Sequence, residues 1–437
     1  MKFVSLEEKE FDSFARHHPQ ASFYQASTWG HLKEENGWQM HLLGVKDGKK
    51  IIAATLLLGK KTPIGYRMFY APRGLLVDYD NYDVLSFFTE EIKKYAKKNK
   101  GIFIKIDPYL SYQERDINGD IVKDGKDNKH AFQNLRKMGY KHFGFNIMQD
   151  TLQPRWMFVT ETKGKTLDDI YAHMDPKTRQ ILHKAERQGV YTREISYEEL
   201  PKFKDIMAHT GERREFIDRP LSYYQEMYKH LHPDGTLKIL VAEINMKELV
   251  AKTKKEIADI QKEMEERAYK HDNQLMPMNE KKYAAKQKEA QNNIERLKKN
   301  VRKYQTYLEE DGDVITLGGI LFLIHGNEVL SLVGGSYAKY MEFQSAYVVH
   351  FAGLKYALEN GFDRYNFYGI VGDFDEHKEL GGLYTFKKSF GGTVVELIGE
   401  FDLILNTPLY HLYHLAFNTY HFLKNLKAKL HKVKIHP

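Results

Sequence analysis

Residues 237–244 read LKILVAEI and residues 314–324 read VITLGGILFLI. Between them lies a charged, almost glycine-free stretch, KELVAKTKKEIADIQKEMEERAYKHDNQLMPMNEKKYAAKQKEAQNNIERLKKNVRKYQTYLEE (247–310). The two flanking runs, rich in β-branched and aliphatic residues, predict strands. The segment between them spaces its apolar residues three and four apart, which is a coiled-coil pattern. Val250, Thr253, Ile257, Ile260 and Met264 make one seam, and Tyr283, Gln287, Ala290, Ile294, Leu297, Val301, Tyr304 and Leu308 make a second. Pro277, in NQLMPM, breaks the helix between the seams. An antiparallel helical hairpin therefore occupies the place of a β-turn. At 1.5 Å per residue its first helix, of roughly 25 residues, projects on the order of 35–40 Å. On this reading a short Asp-Gly turn in place of the arm leaves the core intact.

Outward from this arm the chain repeats itself. HLLGVKDGKKIIAATLLL (41–58) is again two strand-like runs, joined by Asp47-Gly48. VSLEEKEF (4–11) matches ISYEELPKF (195–203), each a strand end leading into a helix. The helix after Asp83 and the strand GIFIKIDPY (101–109) match the helix after Ser345 and the strand DRYNFYGI (363–370). HAFQNLRKMGYKHFGF (130–145) matches GLYTFKKSFGGTVVEL (382–397), a helix that turns through glycine into a last strand. A chain of 437 residues exceeds what one hydrophobic core holds, and duplication accounts for the repeat. The order predicts an α/β fold of two tandem GNAT-like (acetyltransferase-fold) domains with an antiparallel coiled-coil helical arm inserted in the second. The expected divisions are 1–150 for the first domain, 151–245 and 311–402 for the second, 246–310 for the arm, and 403–437 for a basic amphipathic C-terminal helix.

The net charge is +7, and no acid follows Asp402, whereas Lys424, Lys427, Lys429, Lys432 and Lys434 do. Interleaved with Leu415, Leu423, Leu426, Leu430 and Val433, these lysines suit a helix lying on anionic lipid. Each is worth roughly 1 kcal/mol near such a surface. A solvated tail is the alternative. The apolar stretch from Ile51 to Leu58 is far too short to cross a bilayer. Glu7, Glu8 and Glu10 stand where a secretory signal needs apolar residues, so a cytoplasmic protein is expected, peripheral at the membrane if the tail binds lipid. The absence of cysteine removes disulfides, thiolate zinc sites and cysteine nucleophiles.

An acetyltransferase-like fold raises the question of acetyl-CoA, whose pyrophosphate sits on a Gln/Arg-x-x-Gly-x-Gly/Ala turn opening a helix. RKMGYK (136–141) lacks the second small residue, and KKSFGG (387–392) lacks the pattern. There is no P-loop and no dinucleotide fingerprint; the pairs Gly334-Gly335 and Gly381-Gly382 read as loop glycines. Despite 20 histidines there is no HExxH, and GDFDEHKELGG (372–382) lacks calcium-loop spacing, so no metal site is expected.

These features raise a resemblance across essentially the whole chain. FYQASTWGHLK (23–33), YAPRGLLVDY (70–79), FIKIDPYLSYQ (103–113), GERREFIDRPLSYY (211–224), the arm, DRYNFYGIVGDF (363–374), GLYTFKKSFGG (382–392) and GEFDLILNTPLY (399–410) resemble the Fem family of peptidoglycan interpeptide-bridge aminoacyltransferases. The resemblance implies an aminoacyl-tRNA as co-substrate. It implies as acceptor the stem-peptide lysine, or the growing bridge, of a UDP- or lipid-linked muropeptide. An aminoacyl ester is already activated, so no cofactor, ATP or metal is expected. Two other readings keep the fold: a non-catalytic scaffold binding tRNA or membrane, and an N-end aminoacyl-tRNA-protein transferase.

The resemblance also implies roles for particular residues. Lys33 and Arg219, with Tyr223 four residues after the arginine, match positions that contact the phosphates of the acceptor. Lys387, with Lys388 as its competitor, matches a lysine placed near the tRNA 3′ end and the reacting ester. Asp107 matches an acidic position that either takes the proton of the amine or orients it; a strand-end turn residue before Pro108 is the equal alternative. Tyr384 and Tyr368 read as core aromatics. The arm carries 16 basic against 12 acidic residues, which suits a contact with charged tRNA. A spacer, or a contact with a second copy or a related Fem protein, is the other use.

Overall fold

The computed structural model describes residues 1–148, 152–275, 279–375 and 381–419. Its framework is two eight-stranded mixed sheets. In the first, Gln39–Asp47 and Lys50–Lys61 pair antiparallel, Lys2–Ser5 pairs with the former, and Arg67–Ala71 with the latter. Gly101–Ile106 then runs parallel to Arg67–Ala71. The second sheet repeats this order. Val190–Glu194, Leu237–Asn245, Val314–His325 and Glu328–Ser336 are successively antiparallel, and Arg364–Gly369 is parallel to the last. Lys50–Lys61 holds seven consecutive buried residues, as expected of a strand covered on both faces. The helices Tyr82–Lys98 and Ser345–Glu359 supply equivalent cover. The α/β fold with two acetyltransferase-like halves and an inserted arm is thus present.

The strand pairing does not follow the expected domain division. Phe401–Ile404, expected to straddle the end of the second half at 402 and the start of the C-terminal helix at 403, is instead a strand of the first sheet between Gly101–Ile106 and Tyr140–His142. Ser111–Glu114, placed before the boundary at 150, pairs with Thr393–Leu397 in the second sheet. Alternating or apolar runs reveal that a segment is a strand. They do not reveal which of two similar sheet edges it completes, because the pairing is long-range. Buried ion pairs mark the exchange: Glu396 receives Arg115 at 2.7 Å and also binds Arg155.

The arm is the hairpin that the seams predict. Met246–Asp272 begins at Asn245, whose side chain accepts from Glu248 N, and Glu280–Asp311 begins at Asn279, which accepts from Lys282 N. The two helices meet through His271 stacked on Tyr283, with ring centroids 3.9 Å apart, and through Gln287 Nε2 donating to Met264 O at 3.2 Å. Pro277 lies outside the described residues, as do Glu376 and Glu379 of GDFDEHKELGG.

The base of the arm is not a simple turn. Met246, Leu249, Val250, Tyr304 and Tyr307 are buried in the core of the second half, and Tyr307 donates to Lys339 O at 3.0 Å. Replacing all of 247–310 by Asp-Gly therefore uncovers Tyr340 and Phe343, which Tyr307 packs against, and should destabilise the fold. Losing two buried aromatics costs about 3–5 kcal/mol each. Excising only 261–290, none of whose described residues belongs to the core of the second half, should leave the melting temperature within a few degrees of the parent.

Past Ile404 the chain is helical over 407–419, and Tyr410 anchors it by donating to Asp402 Oδ2 at 2.8 Å. The five lysines expected to make this helix basic lie outside the described residues. Among the described residues no helix is long and apolar enough to cross a membrane.

Candidate active site

Lys33 and Trp29 are one turn apart on the helix Ser27–Glu35, so they share a face. The lysine Nζ lies 4.2 Å from the indole centroid. Trp29 is 5% exposed, meets Tyr24 edge-on at 5.0 Å, and its buried Nε1 has no acceptor among the described residues. Arg219 comes from the other half, in the turn before the helix Leu221–Leu231, and its guanidinium lies 5.4 Å from the ring centroid of Tyr223. The turn is fixed through Asp218, which accepts from Arg219 N at 2.7 Å, from Tyr224 OH at 2.7 Å and from Lys204.

Burial, and then the charge of Arg219, push Lys33 down to about 8. Two cations, each over an aromatic ring, thus face one another across the junction of the halves. Neither has a carboxylate ion-pair partner among the described residues, and an anion placed between them would relieve the repulsion. The structure brings Lys33, Arg219 and Tyr223 together.

A hydroxyl chain continues from Tyr24, which packs on Trp29. Tyr24 OH and Tyr368 OH are 3.0 Å apart, and Tyr368 OH donates to Gln153 Oε1 at 2.6 Å. Tyr368 sits at φ 63, a costly conformation for a bulky residue, and its backbone N donates to Asn366 Oδ1 at 2.7 Å. Its hydroxyl belongs to a polar chain at the site, so Tyr368 is more than the core aromatic that its strand position predicts. Tyr384 is one, 1% exposed, with its hydroxyl donating to Ile117 O.

Asp107 stands behind this chain, 2% exposed. Its Oδ1 accepts from Arg73 N at 2.7 Å, and its Oδ2 lies 3.6 Å from Arg73 Nη1. Arg73 Nη2 in turn donates to Pro154 O at 2.8 Å. Burial raises Asp107 to about 6, against the opposing pull of Arg73. Asp107 thus engages Arg73 rather than Lys33 or Arg219.

Lys387 is apart from all of these. It ends the helix Gly381–Lys388, is 5% exposed, and donates from Nζ to Gly369 O at 2.7 Å. Burial alone lowers it to about 7. Burial, and then the charge of Lys387, lower His350 to about 3, so the lysine faces a neutral imidazole. Gly369 follows Tyr368 in the chain, so the hydrogen bond from Lys387 ties its helix to the residue next to the hydroxyl chain.

The FemAB family model matches residues 6–418, nearly the whole of this arrangement. The chain belongs to the FemAB family. Aminoacyltransferase FemA of Staphylococcus epidermidis is 33% identical over 416 residues, covering 94% of this chain and 98% of that protein. Aminoacyltransferase FemA of Staphylococcus aureus is likewise 33% identical over 415 residues, covering 94% and 97%. The crystal structure of FemX superposes with a TM-score of 0.77 at 31% identity, covering 94% of this chain and 99% of that one. Within this FemAB chain, Tyr24, Arg73 and Gln153 were not singled out from sequence. Tyr24 and Arg73 stand inside FYQASTWG and YAPRGLLV, so the motifs contained them. Only the fold shows that they meet Tyr368 and Asp107.

Proposed function

We propose that this aminoacyltransferase takes an amino acid from charged tRNA and joins it to the ε-amino group of the stem-peptide lysine, or to the terminal amine of the growing bridge, on a UDP- or lipid-linked muropeptide. The observation that carries this reading is the pair Lys33 and Arg219, two cations without a carboxylate ion-pair partner among the described residues, one from each half. Phosphates of the acceptor occupy the space between them, and Trp29 and Tyr223 form its aromatic walls.

The chemistry needs little else. The neutral amine attacks the ester carbonyl, the tetrahedral oxyanion collapses, the carbon–oxygen bond to the ribose breaks, and the ribose oxygen takes up a proton. The activated ester replaces any cofactor. Keeping a lysine amine neutral at pH 7 costs about 4–5 kcal/mol, so orientation and desolvation must contribute. Asp107 acts through Arg73, which holds Pro154 O next to Gln153, the acceptor of the Tyr368 hydroxyl, and Lys387 serves the tRNA end. The arm meets the tRNA backbone, and the lysine-rich tail makes a peripheral contact with the inner membrane face.

The acceptor class is tested by offering charged tRNAs with a UDP-linked muropeptide, a lipid-linked precursor or a model polypeptide, and following the mass of each. Mass gain on a muropeptide is expected; gain on the polypeptide alone would replace the reading with an N-end transferase.

The pH dependence follows from Lys33. It is charged below about 8 in the free protein, so its contribution to acceptor binding should be present below that pH and lost above it, read as a rise of the acceptor KM on the alkaline side. Lys33→Arg should push this alkaline limb upward. A limb that stays put assigns it to another group.

A further inference from the structure

One carboxylate oxygen at the junction of the halves gathers three donors. Glu328 opens the strand Glu328–Ser336 opposite Arg364 and is buried. Its Oε2 accepts from Tyr109 OH at 2.7 Å, from Arg364 Nε at 2.8 Å and from Asn366 Nδ2 at 3.1 Å. Asn366, fully buried, also donates from Nδ2 to Tyr109 OH at 3.0 Å. Tyr109 is the first half's contribution. Its backbone N donates to Arg73 O at 3.3 Å, and its ring centroid lies 5.6 Å from the Arg73 guanidinium and 5.2 Å from that of Arg364. Burial, and then the charge of Glu328, push the Tyr109 phenol up, so its hydroxyl keeps its proton and remains a donor to the carboxylate.

This cluster decides which way the Asn366 amide faces. Tyr109 donates to Glu328 and so offers only lone pairs to Asn366; with a carboxylate and a phenol oxygen on one side, Nδ2 must turn to them. Oδ1 is left to accept from Tyr368 N at 2.7 Å. That bond supports a costly backbone, because Tyr368 has φ 63, which a bulky residue adopts only where its surroundings impose it. Tyr368 in turn stands between the two ends of the site. Its hydroxyl meets that of Tyr24, which packs on Trp29 beneath Lys33, and the next residue, Gly369, accepts from Lys387.

We infer that Glu328 and Asn366 are positioning residues for the transfer: they hold Tyr368 in its left-handed conformation and so place its hydroxyl where amine and ester are aligned. The inference rests on the transferase reading above and adds to it two buried residues that act through Tyr368. A cluster that only joined the halves would behave differently. Lys33 and Arg219 come from opposite halves, so a loosened junction would raise the acceptor KM.

The test is a double-mutant cycle on transfer from charged tRNA to a UDP-linked and to a lipid-linked lysine muropeptide. Asn366→Asp keeps an acceptor for Tyr368 N but sets a second carboxylate against Glu328, and should lower kcat about tenfold with the acceptor KM within about twofold of the wild type. Tyr368→Phe should lower kcat by a similar factor. The double variant should be no slower than the slower single one, because both changes act through one hydroxyl. Should Asn366→Asp fail to fold, Tyr109→Phe replaces it in the cycle, removing one hydroxyl while keeping the ring between the two guanidiniums. Wild-type kcat in Tyr368→Phe, losses that multiply in the double variant, or losses confined to the acceptor KM overturn this inference and leave the transferase reading standing. A wild type that transfers to neither muropeptide overturns both.

Discussion

Lys387→Met is expected to lower turnover by about 10²-fold, the loss of one preorganised charge at the reacting carbonyl, or on the order of 3 kcal/mol. Its effect on stability should run the other way. Burial lowers Lys387 from 10.5 to about 7, so between those values the unfolded chain binds the extra proton and stability rises with pH. Below about 7 both states are protonated, and the full cost of a buried ammonium is present. Methionine removes that cost together with the hydrogen bond to Gly369 O, which is worth about 1 kcal/mol. The variant should therefore melt at or above the wild-type temperature below pH 7, and the comparison should turn against it as pH rises. Fallen activity without lost stability separates a functional lysine from a structural one. Lys388→Met is the matched control, since Lys388 lies 5.5 Å from the ring centroid of Tyr384 rather than under Gly369. If neither change affects turnover, the role assigned to this helix fails.

Arg219→Met should act at the other end, raising the acceptor KM about 10- to 100-fold with little change in kcat, because a charge-assisted contact is worth about 1.5–3 kcal/mol. Lysine at this position should recover only part of the loss, lacking the fork that grips two phosphate oxygens. The variant has a second signature. Arg219 depresses Lys33, so removing it should shift the alkaline limb of kcat/KM upward. Lys33→Met should weaken the acceptor similarly, and the double variant should fall short of the sum, since both cations serve one ligand. Kinetics would show whether the effect sits in KM.

The arm was legible in the sequence because a coiled-coil seam is a local, periodic signal: Ile294, Leu297, Val301 and Tyr304 recur at helical spacing and are buried. The repeat of strand and helix was legible for the same reason. The exchange of Phe401–Ile404 and Ser111–Glu114 between sheets was not, because both edges offer the same backbone groups to any strand. At the site, Lys33, Arg219 and Tyr223 were nameable from their motifs, but their meeting depends on how the two halves pack. Tyr368 packs against a core cluster as a strand aromatic should, but its hydroxyl bonds to Tyr24 and Gln153 required the fold, because a left-handed φ in a strand-like run leaves no local mark. Asp107 was legible as an acid at the end of an apolar strand, whereas its burial and its partner Arg73 required the fold.

The most direct measurement is the mass of a lysine-containing muropeptide after incubation with this protein and a charged tRNA, with fragmentation locating any addition. The predicted result is a gain of one amino-acid residue on the lysine ε-amine, abolished by ribonuclease. Transfer that persists without tRNA, or that is driven by acetyl-CoA instead, would contradict it.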